Sequence, residues 1–376
     1  AIVYGMDGPI ADTEAKPAIQ LGHGALSTVW LLRSEGHRTA VKVTRKGVLV
    51  LLKVVDHALR ECAILQAACE AGSSPFIMKF RKFMQDESCI YLFIDAVTAA
   101  TSGTSVDLRR LLRAQERQLL EPGACACLTT CLACALAHLH SRSLAHRDLK
   151  PENVCLGHDS RPVIVDFGTA RSFEREERST SLVGTLGYLA PEVLSRAGHG
   201  CAADCWSLGV LTFEVLAGRL PFAAGNHAQL AKAQQQLPAD SPTILVADAS
   251  RAEAPGTADA RDLLRACLQS TLMFQPADRL VAMQTWEAKD ECVRWRGNAD
   301  GLAAALERAL FNEQSPEADS DDDETGEWAR ADREAMLERA EAVWQRTAEE
   351  WRPAFAAAYG KEQTSPVLAQ LDPDRV

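Results

Sequence analysis

Residues 145–154 read AHRDLKPENV, and this short stretch decides the fold. Asp148 precedes Asn153 by five positions, which places a carboxylate and a side-chain amide around one tight loop, and Lys150 lies between them. In phosphoryl transfer a carboxylate orients the attacking hydroxyl, an asparagine helps to hold Mg²⁺, and a cation neutralises the transferred group. The stretch therefore predicts a loop that supports phosphoryl transfer.

Two motifs that follow this loop support the same chemistry. Residues 165–170 read VDFGTA, in which Asp166 is a candidate Mg²⁺ ligand and Gly168 gives the chain freedom to turn. Residues 188–193 read YLAPEV. Any one of these short motifs can arise by chance, but the ordered set at compatible spacings is specific.

A lysine and a glutamate upstream of the loop extend the set. Lys42 lies in the β-branched stretch TAVKV, and Glu61 follows nineteen residues later on the helical pattern HALRECAILQ. A strand lysine held by a helix glutamate orients a cation toward the α- and β-phosphates of ATP. The pair is a weak signal by itself and gains its meaning from the motifs downstream.

Residues 19–30, IQLGHGALSTVW, begin like a phosphate-binding loop. Gly22 and Gly24 are present, while Ser27 stands where a third glycine usually completes such a loop. If that position requires a left-handed backbone, a residue other than glycine costs about 1–2 kcal/mol. We expect this cost to weaken nucleotide positioning by about tenfold.

Together these motifs resemble eukaryotic protein kinases over about residues 19–280. The form HRDLKPEN is similar to the serine/threonine branch. The segments AVKVTRKGVLVLLKVVDHALRECAILQ and GHGCAADCWSLGVLTFEVLAGRLPF resemble the AGC group, nearest the cyclic-nucleotide-dependent kinases. The resemblance implies an α+β, bilobal protein-kinase fold that uses ATP and Mg²⁺ to phosphorylate protein substrates on Ser and Thr.

The resemblance also implies a domain organisation. We expect an N-terminal lead, a small β-rich N-lobe, a hinge with an insert, a helical C-lobe, and an acidic linker with a helical tail. The tail carries Leu337, Trp344 and Trp351 at heptad spacing, and we expect it to dock on its own domain. The five segments span 1–16, 17–95, 96–106, 107–300 and 301–376.

Roles of individual residues follow from the resemblance, position by position. The catalytic set is Asp148, Lys150, Asn153, Asp166, Lys42 and Glu61, of which Asn153 and Asp166 hold the metal. The nucleotide-binding set is Leu21, Gly22, Gly24, Val29, Ala40, Lys42, Ile94, Asp95, Val97 and Cys155. Asp204 is expected to brace the catalytic loop, and Glu192 is expected to pair with Arg279.

The resemblance predicts a phosphorylation site and a substrate site as well. Ser181 falls at the activating phosphosite of the AGC group, with Arg147, Arg171 and His57 as its cations and Thr185 nearby. Asp107, Glu152 and Glu214 are the expected substrate-binding carboxylates. Gly187 replaces a further carboxylate of the group, so we expect a mild preference for basic residues upstream of the acceptor.

Bulk properties restrict the remaining classes. The net charge of −11 argues against nucleic acid as a partner. The sequence shows neither a membrane span nor a disulfide framework among its twelve cysteines, which favours a cytoplasmic location. Protein substrates are the expected partners, with a regulatory subunit or an upstream kinase as further candidates.

Two alternatives remain beside an active kinase. The altered glycine loop fits a pseudokinase or scaffold that binds ATP or partners without turnover. Residues 1–15, AIVYGMDGPIADTEA, resemble the opening strand of haloacid-dehalogenase phosphatases. Gly5 stands at the position of their nucleophilic aspartate, so we do not expect aspartyl-phosphate chemistry there.

Overall fold

A computed structural model gives the structure of this chain. It describes residues 19–23, 26–34, 37–69, 74–98, 105–115, 120–157, 160–173, 177–236, 265–269, 271–272, 276, 279, 330–359 and 361–362. The predicted N-terminal lead, Gly24 and the acidic stretch at 313–327 lie outside these residues.

The chain divides into two compact units. The first, here called the sheet unit, comprises Ala1–Ala71, Met78–Val97 and Glu317–Val376. The second, here called the helical unit, comprises Gly72–Ile77 and Thr98–Pro316. An N-terminal antiparallel sheet followed by a mostly helical region confirms the predicted α+β kinase fold class.

Five antiparallel strands form the core of the sheet unit, in the order β1-β2-β3-β5-β4. Alternating β-branched and aromatic residues favour these strands because such side chains pack well on a pleated surface. The strands are β1 (Ile19–His23), β2 (Ser27–Ser34), β3 (His37–Arg45), β4 (Phe80–Gln85) and β5 (Cys89–Asp95).

The two faces of this sheet carry different sets of side chains. One face forms a buried apolar cluster that includes Trp30, Val41 and Phe93. Because side chains alternate along a strand, Ala40 and Lys42 lie on the opposite face of β3. The strand register pairs Val29 with Lys42 and Ala40 with Ile94. Four predicted nucleotide-binding residues therefore share one face of the sheet: Val29, Ala40, Lys42 and Ile94.

The described part of the sheet unit also contains three helices: α1 (Lys46–Leu51), α2 (Val55–Cys69) and a long C-terminal helix, here called α8 (Arg330–Tyr359). Helix α8 packs against α1, α2 and β4. The approach to α1 is close, because a Cβ atom on Gly47 would lie 2.3 Å from the carbonyl oxygen of Ala340. The tail thus docks on its own chain, as its aromatic spacing predicted.

A buried lysine holds α8 in place. The side chain of Lys46 is fully buried, and its Nζ lies 5.3 Å from the ring centroid of Trp344 and 5.5 Å from that of Phe355. Nζ also donates to the carbonyl oxygen of Asp86 and lies 3.4 Å from Oε1 of Glu362. Burial lowers the pKa of Lys46, and the Glu362 carboxylate opposes that shift. A buried charge persists only when it is paired in this way.

The helical unit is built around two apolar helices that pack on each other, α4 and α6. Four cysteines lie in α4, and those at 125, 127 and 131 are buried as small apolar side chains. By length and composition α4 could cross a membrane, but most of it is buried, as expected for a core helix. The described residues of the helical unit include the helices α3 (Leu108–Arg113), α4 (Pro122–His140), α5 (Pro191–Leu194), α6 (Ala202–Ala217) and α7 (His227–Gln235).

Short strands in the helical unit carry the loops that contain the sequence motifs. One sheet has the order β6-β8-β9, and a separate pair joins β7 to β10. AHRDLKPENV begins in β7 and ends in β8, so a strand fixes each end of this loop. These strands are β6 (Val106–Asp107), β7 (Leu144–Ala145), β8 (Val154–Leu156), β9 (Pro162–Ile164) and β10 (Arg171–Ser172).

Replacement of Gly47 by Ala tests the docking of α8. The added methyl group has no space beside Ala340, so we expect the free energy of unfolding to fall by about 1–3 kcal/mol. Gly123→Ala is the matched control, since nothing lies within 4 Å of the corresponding position in α4. Urea denaturation should show Gly123→Ala at least as stable as the parent chain. Equal stability of the two variants would contradict the packing.

Candidate active site

A fully buried carboxylate organises the loop between β7 and β8. Asp204, in the first turn of α6, accepts hydrogen bonds from the backbone nitrogens of His146 (2.8 Å) and Arg147 (2.7 Å). Nε2 of His140 lies 3.0 Å from its Oδ2 atom. Arg147 has a φ of 67°, a left-handed conformation that costs free energy in residues other than glycine. The two bonds to Asp204 help to hold the loop in this conformation.

The negative charge of Asp204 and the positive charge of His140 stabilise each other. Burial opposes ionisation of Asp204, but the contact with His140 outweighs it and keeps the pKa of the carboxyl below its usual value. Burial likewise opposes protonation of His140, but its bond to Asp204 raises the pKa of the imidazole well above its usual value. The pair is therefore ionic at neutral pH.

The structure brings Asp148, Lys150, Asn153 and Thr185 together. Asp148 Oδ1 accepts bonds from the Thr185 nitrogen (2.8 Å) and hydroxyl (2.7 Å). Nδ2 of Asn153 lies 3.1 Å from Asp148 Oδ2, and so does Nζ of Lys150. Lys150 also donates to the Thr185 hydroxyl at 2.8 Å. Three donor groups thus hold one carboxylate in a fixed orientation beside a cation.

The two predicted metal ligands fit a magnesium ion. The amide nitrogen of Asn153 donates to Asp148, which leaves its amide oxygen as a ligand. Asp166 is exposed, with a φ of 60°, and it follows Val165, whose nitrogen donates to the Asn153 carbonyl at 2.9 Å. Strained backbone of this kind recurs at functional sites. One carboxylate and one amide match the sparse protein coordination that Mg²⁺ accepts beside phosphate oxygens.

In the sheet unit, the predicted lysine–glutamate pair is formed. Nζ of Lys42 lies 2.8 Å from Oε1 of Glu61, and both side chains are largely shielded from solvent. Lys42 projects from the sheet face that also carries Val29 and Ala40. An ion pair at this position fixes a cation on that face of the sheet.

The structure corrects the expectation about Ser27. This residue lies in β2, paired with Thr44, and it is not among the described residues with positive φ. The left-handed strain expected from its replacement of glycine is therefore absent. Of the neighbouring loop residues, Leu21 and Gly22 belong to β1.

The other predicted nucleotide-binding residues lie at the end of β5, just after it, and within β8. Asp95 ends β5, where its carboxylate pairs with Arg81, and half-buried Val97 follows. Cys155 lies in β8, with Sγ 3.6 Å from the hydroxyl of Ser105, and burial raises the pKa of its thiol to about 12. This thiol is therefore protonated at neutral pH.

The predicted phosphosite contacts one of its predicted arginines directly, and the neighbouring Ser179 contacts two. The exposed Ser181 accepts from Nη1 of Arg147 at 3.3 Å, and its hydroxyl lies 2.8 Å from that of Ser179. Ser179 is buried and accepts from both Arg147 (3.4 Å) and Arg171 (3.3 Å). Arg171 also pairs with Glu177, a contact that the sequence did not indicate. His57, the third predicted cation, is exposed in α2 of the sheet unit.

A second buried ion pair forms at the YLAPEV motif, as expected. Nη2 of Arg279 lies 2.6 Å from Oε2 of Glu192, and the same guanidinium donates to the Ala202 carbonyl at 2.9 Å. Arg279 is fully buried and Glu192 nearly so. Replacing either residue with a neutral one would leave the charge of the other buried and unpaired.

Two of the three predicted substrate carboxylates are joined by a residue that the sequence did not single out. Arg109 donates to Glu152 at 2.8 Å, to Glu214 at 2.6 Å and to the hydroxyl of Tyr188 at 2.8 Å. Asp107 lies apart from this group as the N-cap of α3, where it accepts from the Arg110 nitrogen at 2.9 Å. No sequence signal marks Arg109 as their partner, because it is one of several arginines in α3.

Burial and neighbouring charges determine the protonation states of Arg109 and Tyr188. Burial favours the neutral form of the guanidinium, but its bonds to Glu214 and Glu152 outweigh this and raise the pKa of Arg109 above its usual range. Burial and the Glu214 carboxylate raise the pKa of the Tyr188 hydroxyl. Arg109 is therefore charged and Tyr188 neutral at neutral pH.

The pH dependence of stability tests the buried pair of His140 and Asp204. Because the folded-state pKa of His140 is raised, its contribution is fully present below about pH 6.5 and is lost as pH rises through the folded-state value. We expect His140→Gln to remove this decline in the free energy of unfolding, and His227→Gln, at an exposed position in α7, to retain it. Urea denaturation across this pH range provides the measurement. Parallel pH profiles for the parent and His140→Gln would contradict the ionic pair.

Comparisons with known proteins agree with this arrangement. The protein kinase domain family matches residues 16–289. Ribosomal protein S6 kinase alpha-4 of Mus musculus is 36% identical over 211 residues, which cover 54% of this chain and 26% of that protein. Protein kinase 2 of Dictyostelium discoideum is 35% identical over 208 residues, covering 55% of this chain and 41% of that protein.

A plant relative extends the comparison. Serine/threonine-protein kinase AtPK2/AtPK19 of Arabidopsis thaliana is 31% identical over 222 residues, covering 58% of this chain and 44% of that protein. The chain thus spans less than half the length of these relatives. They confirm the predicted resemblance to AGC kinases, while the narrower likeness to cyclic-nucleotide-dependent kinases stays a prediction. By its family match and its motifs, the chain belongs to the protein kinase family.

Proposed function

We propose that this chain is an active serine/threonine protein kinase that transfers the γ-phosphate of Mg-ATP to Ser and Thr hydroxyls of protein substrates. The observation that carries the proposal is the Asp148 carboxylate, which is held by Asn153 and Thr185 beside the ammonium group of Lys150. A pseudokinase would not need this arrangement of groups around one carboxylate.

Each group has a definite task in this proposal. Asp148 accepts a hydrogen bond from the substrate hydroxyl and directs its oxygen at the γ-phosphorus, while the bond to the ADP oxygen breaks. Lys150 neutralises charge on the transferred group, and Lys42, held by Glu61, binds the remaining phosphates. Mg²⁺, held by Asn153 and Asp166, would neutralise the phosphate oxygens.

Substrates, regulation and location belong to the same proposal. Glu152, Glu214 and Asp107 support a mild preference for basic residues upstream of the acceptor. Ser181 would be phosphorylated by this kinase or by an upstream kinase, and a regulatory subunit remains a candidate partner. A cytoplasmic location is supported by the cysteines of the described residues, which do not form disulfides.

Replacement of Asp148 by Asn tests the transfer reaction. The change removes the acceptor charge at nearly constant size, so we expect kcat to fall by about 10² to 10⁴-fold while nucleotide binding persists. Radiolabelled phosphate transfer from Mg-ATP and titration with a fluorescent nucleotide measure the two effects. Glu349→Gln, on an exposed position of α8, is the control and should match the parent. Equal transfer by parent and Asp148→Asn would point to a pseudokinase.

Replacement of Ser181 by Ala tests the phosphosite. A phosphate there would add charge-assisted bonds to Arg147, so we expect the phosphorylated parent to exceed Ser181→Ala in kcat/KM by about tenfold. Thr180→Ala, at the exposed neighbouring position, should retain the parent's activity. Mass spectrometry locates the phosphate. Full activity of Ser181→Ala with an unchanged phosphopeptide map would exclude this site.

A further inference from the structure

One arginine already occupies two of the carboxylates that are expected to bind a basic substrate. Arg109 extends from α3 and uses its Nε and Nη1 atoms on Glu152 and Glu214, at 2.8 and 2.6 Å. Its Nη2 atom donates to Tyr188. The planar fork of a guanidinium is the group that a substrate arginine would present to the same oxygens.

The carboxylate of Glu214 has little capacity to bind a second cation. Its Oε1 atom accepts from Arg109, its Oε2 atom accepts from Tyr188, and the side chain is only 8% exposed. Glu152 differs, because 45% of its side chain is exposed and Arg109 contacts its Oε1 atom alone. A substrate cation therefore meets one accessible carboxylate, on Glu152.

Of the two remaining positions, one is partly engaged within the chain and the other carries no charge. Asp107 uses Oδ1 to cap α3, and burial raises the pKa of its carboxyl. Gly187 has no side chain, and a Cβ atom there would lie 2.8 Å from a methyl group of Leu220. The two glutamates together with Arg109 carry one net negative charge, half of what the two carboxylates would present alone.

We propose that Arg109 is a specificity-determining residue, an internal counterion that restricts selection of basic side chains upstream of the acceptor hydroxyl. The inference rests on the proposed kinase function and assigns the weakness of the expected basic preference to one side chain. Arg109 competes directly with a substrate arginine for Glu214 and lowers the attraction of Glu152 for any substrate cation.

Peptide kinetics of Arg109→Gln test this role. Peptides that carry a single arginine at each upstream position in turn are compared with an alanine-substituted parent peptide, and the ratio of their kcat/KM values is measured. We expect the largest ratio to rise about tenfold in Arg109→Gln, since two carboxylates become available to the peptide. Arg109→Lys retains the charge and should keep the ratio close to that of the unsubstituted chain. The ratio does not depend on the fraction of active enzyme, so partial unfolding cannot produce the effect.

A titratable replacement provides a second test if Arg109→Gln transfers no phosphate. In Arg109→His the ratio should rise as pH increases through the pKa of the imidazole, which the two glutamates hold above the unperturbed value of about 6.5, because the imidazole then loses its charge. The unsubstituted chain should show no such rise. An unchanged ratio in Arg109→Gln, an equal rise in Arg109→Lys, or a ratio in Arg109→His that does not vary with pH would overturn the inference. Failure of the unsubstituted chain to phosphorylate any peptide would instead contradict the proposed function.

Discussion

The contact on which the catalytic loop most depends is the buried carboxylate of Asp204. It accepts two backbone N–H groups from consecutive residues, His146 and Arg147, immediately before Asp148. The backbone at Arg147 is left-handed, a conformation that the loop would not keep without this support. Because His140 keeps the carboxylate charged, its hydrogen bonds are charge-assisted and strong. The orientation of Asp148 follows from this support.

The motifs of the sequence predicted the fold class and the contacts within each motif. HRDLKPEN and VDFG are local patterns whose side chains meet near their own backbone, so spacing was sufficient to expect Asn153 beside Asp148. The ion pair between Lys42 and Glu61 was also expected, because the downstream motifs give meaning to a lysine on a strand and a glutamate on the helix that follows. Contacts between residues of one motif depend on the backbone conformation of few residues, which is why a sequence can indicate them.

Contacts between distant segments could not be predicted in the same way. Arg109 meets Glu214, 105 positions later, only because α3 and α6 belong to the same folded unit. The close approach of Gly47 to Ala340 likewise depends on tertiary packing. The expectation of strain at Ser27 was wrong because it came from the glycine-loop pattern of the family. Pairing with β3 determines the backbone conformation of Ser27 instead. The aromatic spacing thus indicated that the tail docks, but the motifs identify neither the residues that it meets nor the partners of Arg109.

The most direct test of the account is the turnover of Asp204→Asn. The amide can still fill the space, but it cannot accept from both backbone N–H groups and pair with His140 as an anion does. We predict that kcat falls by at least about 100-fold, because displacement of a catalytic group by about 1 Å costs that much. The affinity for nucleotide should change little. A kcat close to that of the parent chain, in a folded protein, would contradict the claim that this carboxylate positions the catalytic loop.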